Sequence, residues 1–217
     1  MIPDSFSARI KAIGIVAVLV IDREEDGPPL AKALLAGGVT AMELTLRTPA
    51  ALGALRRIRN EVPEILAGAG TVLTPKQVDE VKSANADFAV SPGVNPRVLS
   101  AAAEVGLPFA PGIATPSDIE LALEHGCHLL KFFPAEPSGG LPYLKAIAAP
   151  YAHLEVGFIP LGGLNQNNMT SYLADPLVAA IGGSWLAPRE FIRAGEWSKI
   201  TVLAKAASEQ ILSLRGA

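Results

Sequence analysis

The chain has 217 residues, half of them hydrophobic, enough for one large core and short for two, so a single domain spanning 1–217 is expected. Lys and Arg number 18 against 21 Asp and Glu, a net charge of −3 with no basic run, which argues against nucleic acid as a partner. Cys127 is the one cysteine, which excludes an internal disulfide and suits a reducing compartment.

The first element expected is a helix over 3–12, with Phe6, Ile10 and Ile13 on one face. AIGIVAVLVI (12–21) follows. It is about half the ~20 residues a membrane helix needs, and an acidic stretch comes after it rather than a small-residue cleavage pattern. It is a buried strand rather than a signal peptide. A cytoplasmic protein with no membrane partner is therefore expected.

Further apolar runs, bounded by glycine or proline, occur at 42–46 (MELTL), 64–68 (EILAG), 88–91 (FAVS), 108–111 (PFAP), 129–133 (LLKFF), 155–161 (EVGFIPL) and 177–182 (LVAAIG). With IVAVLVI (15–21) they make eight strands at intervals of roughly 20 to 27 residues. Helix openings separate several of them: Thr48-Pro49, Thr74-Pro75, Asn95-Pro96 and Thr115-Pro116 each set a capping side chain before a proline at the first helical position. Gln77 completes a capping box, Asp118 complements a helix dipole, and Gly106 and Gly126 are expected stops. The alternation implies an α/β fold with a parallel sheet, and eight units imply a (β/α)₈ TIM barrel. The N-terminal helix would close its bottom and a helix over 197–214 would complete its outer ring. A doubly wound open sheet is the architectural alternative.

Chemistry in such a barrel sits at the C-terminal strand ends. In MELTLR, Glu43, Thr45 and Arg47 share one strand face and Met42, Leu44 and Leu46 the other. The polar set is expected to point inward, either as an ion pair that fixes the core or as functional groups. Lys131 lies on a face with Leu129 and Phe133. Either its amine escapes to solvent along its stem, or it is buried beside Glu43 and Arg47. A buried amine desolvated by Phe132 and Phe133 is a candidate nucleophile toward carbonyls.

Gly162-Gly163 and Gly182-Gly183-Ser184 follow the seventh and eighth strands, where barrels bind phosphate on bare backbone N–H groups. Thr71 and Ser91-Pro92-Gly93 line the same rim. Thr71 would either bond a carboxylate beside Arg47 or satisfy a turn. His125, Cys127 and His128 lie close in sequence, but His125 falls at a helix end and the other two point to opposite strand faces, so no metal is expected.

MELTLRT, AGAGTVL, VSPGVN, LKFFPAE, LGGL and IGGSW, in that order, resemble the 2-keto-3-deoxy-6-phosphogluconate (KDPG) and 4-hydroxy-2-oxoglutarate (KHG) aldolases over residues 14–188. The resemblance implies a cofactor-free, metal-independent class I aldolase on a (β/α)₈ barrel, assembled as a homotrimer and acting on a small-molecule 2-keto acid. It implies that Lys131 forms the Schiff base and Glu43 shuttles protons. It also implies that Arg47 and Thr71 hold the pyruvate carboxylate, that Gly162, Gly163, Gly183 and Ser184 form the phosphate end, and that Phe133 and Pro92 are pocket walls. Leu161 departs from the threonine usual before the first Gly-Gly. Three alternatives stay open: an aldolase for a C4-epimeric or unphosphorylated acid, a phosphate-binding isomerase or synthase, and a noncatalytic sugar-phosphate-binding barrel.

Overall fold

The computed structural model describes residues 3–215. A first helix, α1 (Asp4–Ile13), ends on Gly14 at φ 78° and leads into β1 (Ile15–Leu19). Strands and helices then alternate: α2 (Gly27–Ala36), β2 (Ala41–Thr45), α3 (Ala51–Glu61), β3 (Leu66–Gly70), α4 (Pro75–Ser83), β4 (Ala89–Val90) and α5 (Pro96–Glu104). Next come β5 (Phe109–Ala110), β6 (Gly112–Ile113), α6 (Pro116–Glu124), β7 (Leu129–Phe132), α7 (Gly140–Ala148), β8 (Gly157–Pro160), α8 (Met169–Leu173), β9 (Ile181–Gly183), α9 (Arg189–Ala194) and α10 (Trp197–Arg215).

Three of the four expected helix openings cap as the sequence implies. Thr74 and Thr115 form reciprocal capping boxes with Gln77 and Asp118, and Asn95 accepts from Arg97 N–H. The short Asp118 side chain completes its box by accepting from Thr115 N–H at 2.9 Å. Thr48 is the exception. The helix after it begins at Ala51 without a side-chain cap, because the Thr48 hydroxyl instead donates to Ile21 O beyond β1. Gly106 and Gly126 turn the chain at φ 61° and 69°.

Every strand pairing is parallel. A six-stranded sheet has the order β5-β4-β3-β2-β1-β9, and a three-stranded sheet the order β6-β7-β8. The fifth expected strand is thus split: β5 and β6 are separated by Pro111, which lacks an N–H for the ladder, and whose carbonyl accepts from Lys131 N–H at 2.9 Å. The seventh begins only at Gly157, since Glu155 sits at φ 53°. Of the eighth, residues 181–183 form the strand, while Val178 makes a lone parallel bridge to Phe158 of β8.

Alternate side chains of the strands enter two different apolar cores. Leu44, Leu130 and Phe132 pack outward against the helices. Val16, Leu66, Phe88, Leu129 and Ile159 face an inner core, joined there by Ile10 of α1. Phe6, also on α1, meets the Phe88 ring at 5.7 Å. Phe88 lies flat across β3 because Gly68 has no side chain; a Cβ there would stand 2.6 Å from the ring. The N-terminal helix therefore stoppers the end of the inner core where the strands begin, leaving the other end open. Among the described residues no helix is long and apolar enough to cross a membrane. Replacing Thr115 with Ala should lower stability by about 1 kcal/mol by removing half of a capping box, measurable as a shift in the urea midpoint with unchanged slope.

Candidate active site

Glu43 stands in β2 opposite Val18 of β1 and Gly68 of β3, and Lys131 stands in β7 opposite Gly112 of β6 and Ile159 of β8. Both enter the inner core. Lys131 Nζ lies 3.3 Å from Glu43 Oε1, with side chains only 7% and 2% exposed. Two isolated charges in such surroundings would each be strongly unfavourable, and pairing offsets that desolvation. Gly70 makes room for the carboxylate, since a Cβ there would stand 1.7 Å from Oε1.

Of the two phenylalanines expected beside the amine, only Phe133 is there, its ring centroid 5.5 Å from Nζ. Phe132 points to the outer core and stacks on Tyr143, as strand alternation requires. Thr45, on the Glu43 face, donates to Leu19 O at 3.0 Å and accepts from Arg47 Nε at 3.0 Å. It anchors an otherwise exposed guanidinium at the rim. Thr71 adopts φ 61°, an outlier for a β-branched residue of the kind that concentrates at functional sites. Pro92 folds over β6 because Gly112 is bare; a Cβ there would lie 2.3 Å from the Pro92 carbonyl.

Gly162 and Gly163 have φ 94° and 86°. The Gly162 carbonyl accepts from Glu136 N–H at 3.0 Å, and the Gly163 carbonyl from Asn168 Nδ2 at 3.2 Å. In a trans peptide the N–H opposes the C=O, so the N–H groups of Gly163 and Leu164 point away from those anchors. Neither meets an acceptor among the described residues. Such a turn is a ready anion cradle.

These strand ends enclose a cavity of about 320 Å³ lined by Glu43, Arg47, Thr71, Pro92, Lys131, Phe133, Leu161, Gly162, Gly163, Gly183 and Ser184. Ser91 and Gly93, expected on the same rim, do not line it, and the Ser91 hydroxyl donates to Gly93 O at 2.6 Å. Val18, Thr45, Leu164 and Gly182 complete the wall. Thr45 was discoverable from its place between Glu43 and Arg47 on the inward face. Gly182 was singled out with Gly183 and Ser184 as bare backbone, but its closeness to Leu161, whose Cγ would stand 2.4 Å from a Cβ at 182, was not discoverable. Beneath the ion pair a second space of about 20 Å³ is walled by Phe6, Ile10, Phe88 and Ile159. The pair thus divides an open polar mouth from an apolar floor.

Elsewhere, His125 ends α6, Cys127 is buried, and exposed His128 places Nδ1 3.2 Å from Leu154 O. Among the described residues no group of three or more His, Cys, Asp or Glu is arranged to hold a metal.

Residues 6–203 match the family model for KDPG and KHG aldolases. The chain belongs to that aldolase family. It is 48% identical over 195 residues to the KHG/KDPG aldolase of Escherichia coli K12, covering 90% of this chain and 91% of that one. The KDPG aldolase of Legionella pneumophila, solved with pyruvate captured as a covalent carbinolamine, superposes with a TM-score of 0.88 at 44% identity, over 93% of this chain and 98% of that one. The KDPG aldolase of Zymomonas mobilis ZM4, solved with 3-phosphoglycerate, gives 0.85 at 40% identity over 93% and 94%.

In this aldolase-family chain either member of the pair is destabilising without the other. Lys131→Met, which leaves the Glu43 carboxylate without its counterion, should destabilise by about 3 kcal/mol. Adding Glu43→Gln should recover most of that loss, and a double-mutant cycle in urea checks the coupling.

Proposed function

We propose that this chain is a class I aldolase that cleaves KDPG to pyruvate and glyceraldehyde 3-phosphate, and KHG to pyruvate and glyoxylate. The observation that carries the reading is the amine of Lys131 held against a buried carboxylate, 3.3 Å away, at the floor of a cavity with an anion cradle at its rim. The pyruvate carbinolamine of the Legionella relative supports it.

Lys131 passes a proton to Glu43, and the neutral amine attacks the C2 ketone to give a carbinolamine. Glu43 returns a proton to the departing hydroxyl, water leaves, and an iminium ion remains. Glu43, directly or through that water, then takes the C4 hydroxyl proton. The C3–C4 bond breaks, its electrons flow into the iminium, and the aldehyde departs. The resulting enamine is protonated at C3 and hydrolysed, which frees pyruvate and the lysine. The iminium is itself the electron sink, so the steps as written call for no metal or organic cofactor.

Arg47, oriented by Thr45, and Thr71 hold the substrate carboxylate; a planar guanidinium suits that anion. Gly162, Gly163, Gly183 and Ser184 form the phosphate end, with the N–H groups of Gly163 and Leu164 turned to the phosphate, while Phe133 and Pro92 wall the reacting carbons. Leu161 presents hydrocarbon to the C4 region, and it is the position at which C4 configuration and phosphorylation are selected. We further infer that the two sheets are one closed eight-unit (β/α)₈ barrel. The continuity of β5 and β6 through Pro111 and the Phe158–Val178 bridge support closure at both seams. A homotrimer in the cytoplasm completes the reading, with the oligomer checked by light scattering.

Borohydride reduction with pyruvate should leave one adduct, on Lys131, in the peptide mass spectrum; an adduct on Lys145, or none, would overturn the assignment. Absence of an imine would instead favour an isomerase or a simple binding protein. Lys131→Met should remain folded and lose cleavage. Gly70→Ala should displace the Glu43 carboxylate and lower kcat on KDPG by about 10² with little change in far-UV circular dichroism. Leu161→Thr, assayed on both C4 epimers with and without phosphate, should change their relative kcat/KM; equal ratios before and after would remove Leu161 from substrate selection.

A further inference from the structure

Glu136 closes the LKFFPAE stretch, yet it does not line the cavity. Three segments meet at it. Its N–H donates to Gly162 O at 3.0 Å, beside a second tie from Ala135 N–H to Leu161 O at 2.7 Å. Its carboxylate accepts the hydroxyl proton of Tyr172 on α8, a residue only 2% exposed. Its Cβ fills the space left by Gly163, where an added Cβ would stand 2.5 Å away. Gly140, at the start of α7, is bare against both partners: a Cβ there would lie 3.1 Å from Glu136 Oε1 and 3.2 Å from the Tyr172 hydroxyl.

This arrangement solves two problems at once. A glycine turn with positive φ is intrinsically free to choose other conformations, so its N–H groups point one way only if something outside the turn holds its carbonyls. The Glu136 N–H holds the first, and the Glu136 side chain presses on the second glycine. A carboxylate beside an anion cradle would also repel phosphate, but here its charge is engaged by a buried phenol. Burial and the adjoining carboxylate push the Tyr172 hydroxyl well above the usual tyrosine range, so it remains a donor throughout the working pH span.

We propose that Glu136 and Tyr172 are positioning residues that lock the Gly162-Gly163 turn with its N–H groups toward the cavity, and so set the affinity for the phosphorylated end of the substrate. The inference rests on the aldolase reading. It separates the substrate's two ends: the carboxylate and ketone are handled by β2, β3 and β7, whereas the phosphate depends on a brace from the segment after β7 to α8.

Steady-state kinetics on KDPG and pyruvate trapping by borohydride test it together, because pyruvate carries no phosphate. Glu136→Ala and Tyr172→Phe should each raise KM for KDPG about tenfold while kcat stays within about twofold. The half-saturating pyruvate concentration for trapping at Lys131 should not change. Glu136→Gln, whose amide oxygen still accepts from Tyr172, should restore KM to within about twofold of the parent. Glu136 is exposed, so its alanine variant retains the fold even if Tyr172→Phe does not. A KM unchanged in Glu136→Ala, or a parallel rise in the pyruvate requirement, would overturn the proposal. A parent protein that forms no adduct at all would overturn the aldolase reading beneath it.

Discussion

An ammonium and a carboxylate share an apolar interior at 3.3 Å, and neither is tolerable there without the other. The desolvation of each is repaid only when both are held on stiff supports at contact distance. The fold supplies those supports from two different sheets: Glu43 on β2, near the middle of the six-stranded sheet, and Lys131 on β7, the central strand of the three-stranded one. Residues 88 positions apart in the chain meet because the two sheets turn the same core between them. Everything close to the pair is shaped by that requirement. Gly70 yields space to the carboxylate, Gly112 lets the Pro92 loop cross, and Gly182 yields to Leu161. A side chain at Gly112 would run into the Pro92 backbone, and one at Gly70 or Gly182 would displace the Glu43 or Leu161 side chain.

The rim obeys a different constraint. Where the interior needs paired charges and small neighbours, the rim needs polar backbone that is aimed and not consumed by the fold. Thr71 accepts an unfavourable φ, and Gly162 and Gly163 take conformations that other residues resist. Their carbonyls are tied from behind by Glu136 and Asn168, which leaves the N–H groups available. Thr45 does for Arg47 what these ties do for the turn: one hydroxyl joins a β1 carbonyl to the guanidinium. The pocket is therefore preorganised through backbone and hydroxyl contacts more than through ion pairs, which would compete with an anionic substrate.

Period-two alternation was the part of the sequence that carried most. It placed Glu43, Thr45 and Arg47 together and put Lys131 with Leu129 and Phe133. The same rule applied one residue further sends Phe132 to the helices, away from the amine. Capping chemistry was legible wherever the cap is local, as at Thr74, Asn95 and Thr115. It failed at Thr48, where a carbonyl 27 residues away competes for the hydroxyl. Strand ends were harder. Pro111 removes a ladder donor inside an apolar run, and Glu155 reverses its φ within another; apolar composition records neither effect. What Gly70 and Gly182 make room for was opaque for a further reason: it is fixed by the fold, which sets each glycine against a residue far along the chain, Glu43 and Leu161.

The stoppered end explains why such a site has one working face. Phe6, Ile10 and Phe88 leave only about 20 Å³ beneath the pair, room for one water at most, and apolar walls give that water few partners besides the pair itself. Proton exchange with bulk solvent must then pass through the mouth. In the mechanism proposed for this site, once a keto acid fills the mouth, Lys131 and Glu43 are left with each other, the substrate and the water released from the carbinolamine. That mechanism needs the proton leaving the amine to stay within reach for the dehydration step, and the carboxylate to be regenerated in time to take the next one from the C4 hydroxyl; a closed apolar floor serves both needs. By closing the floor, α1 leaves the mouth as the one route by which the pair meets solvent.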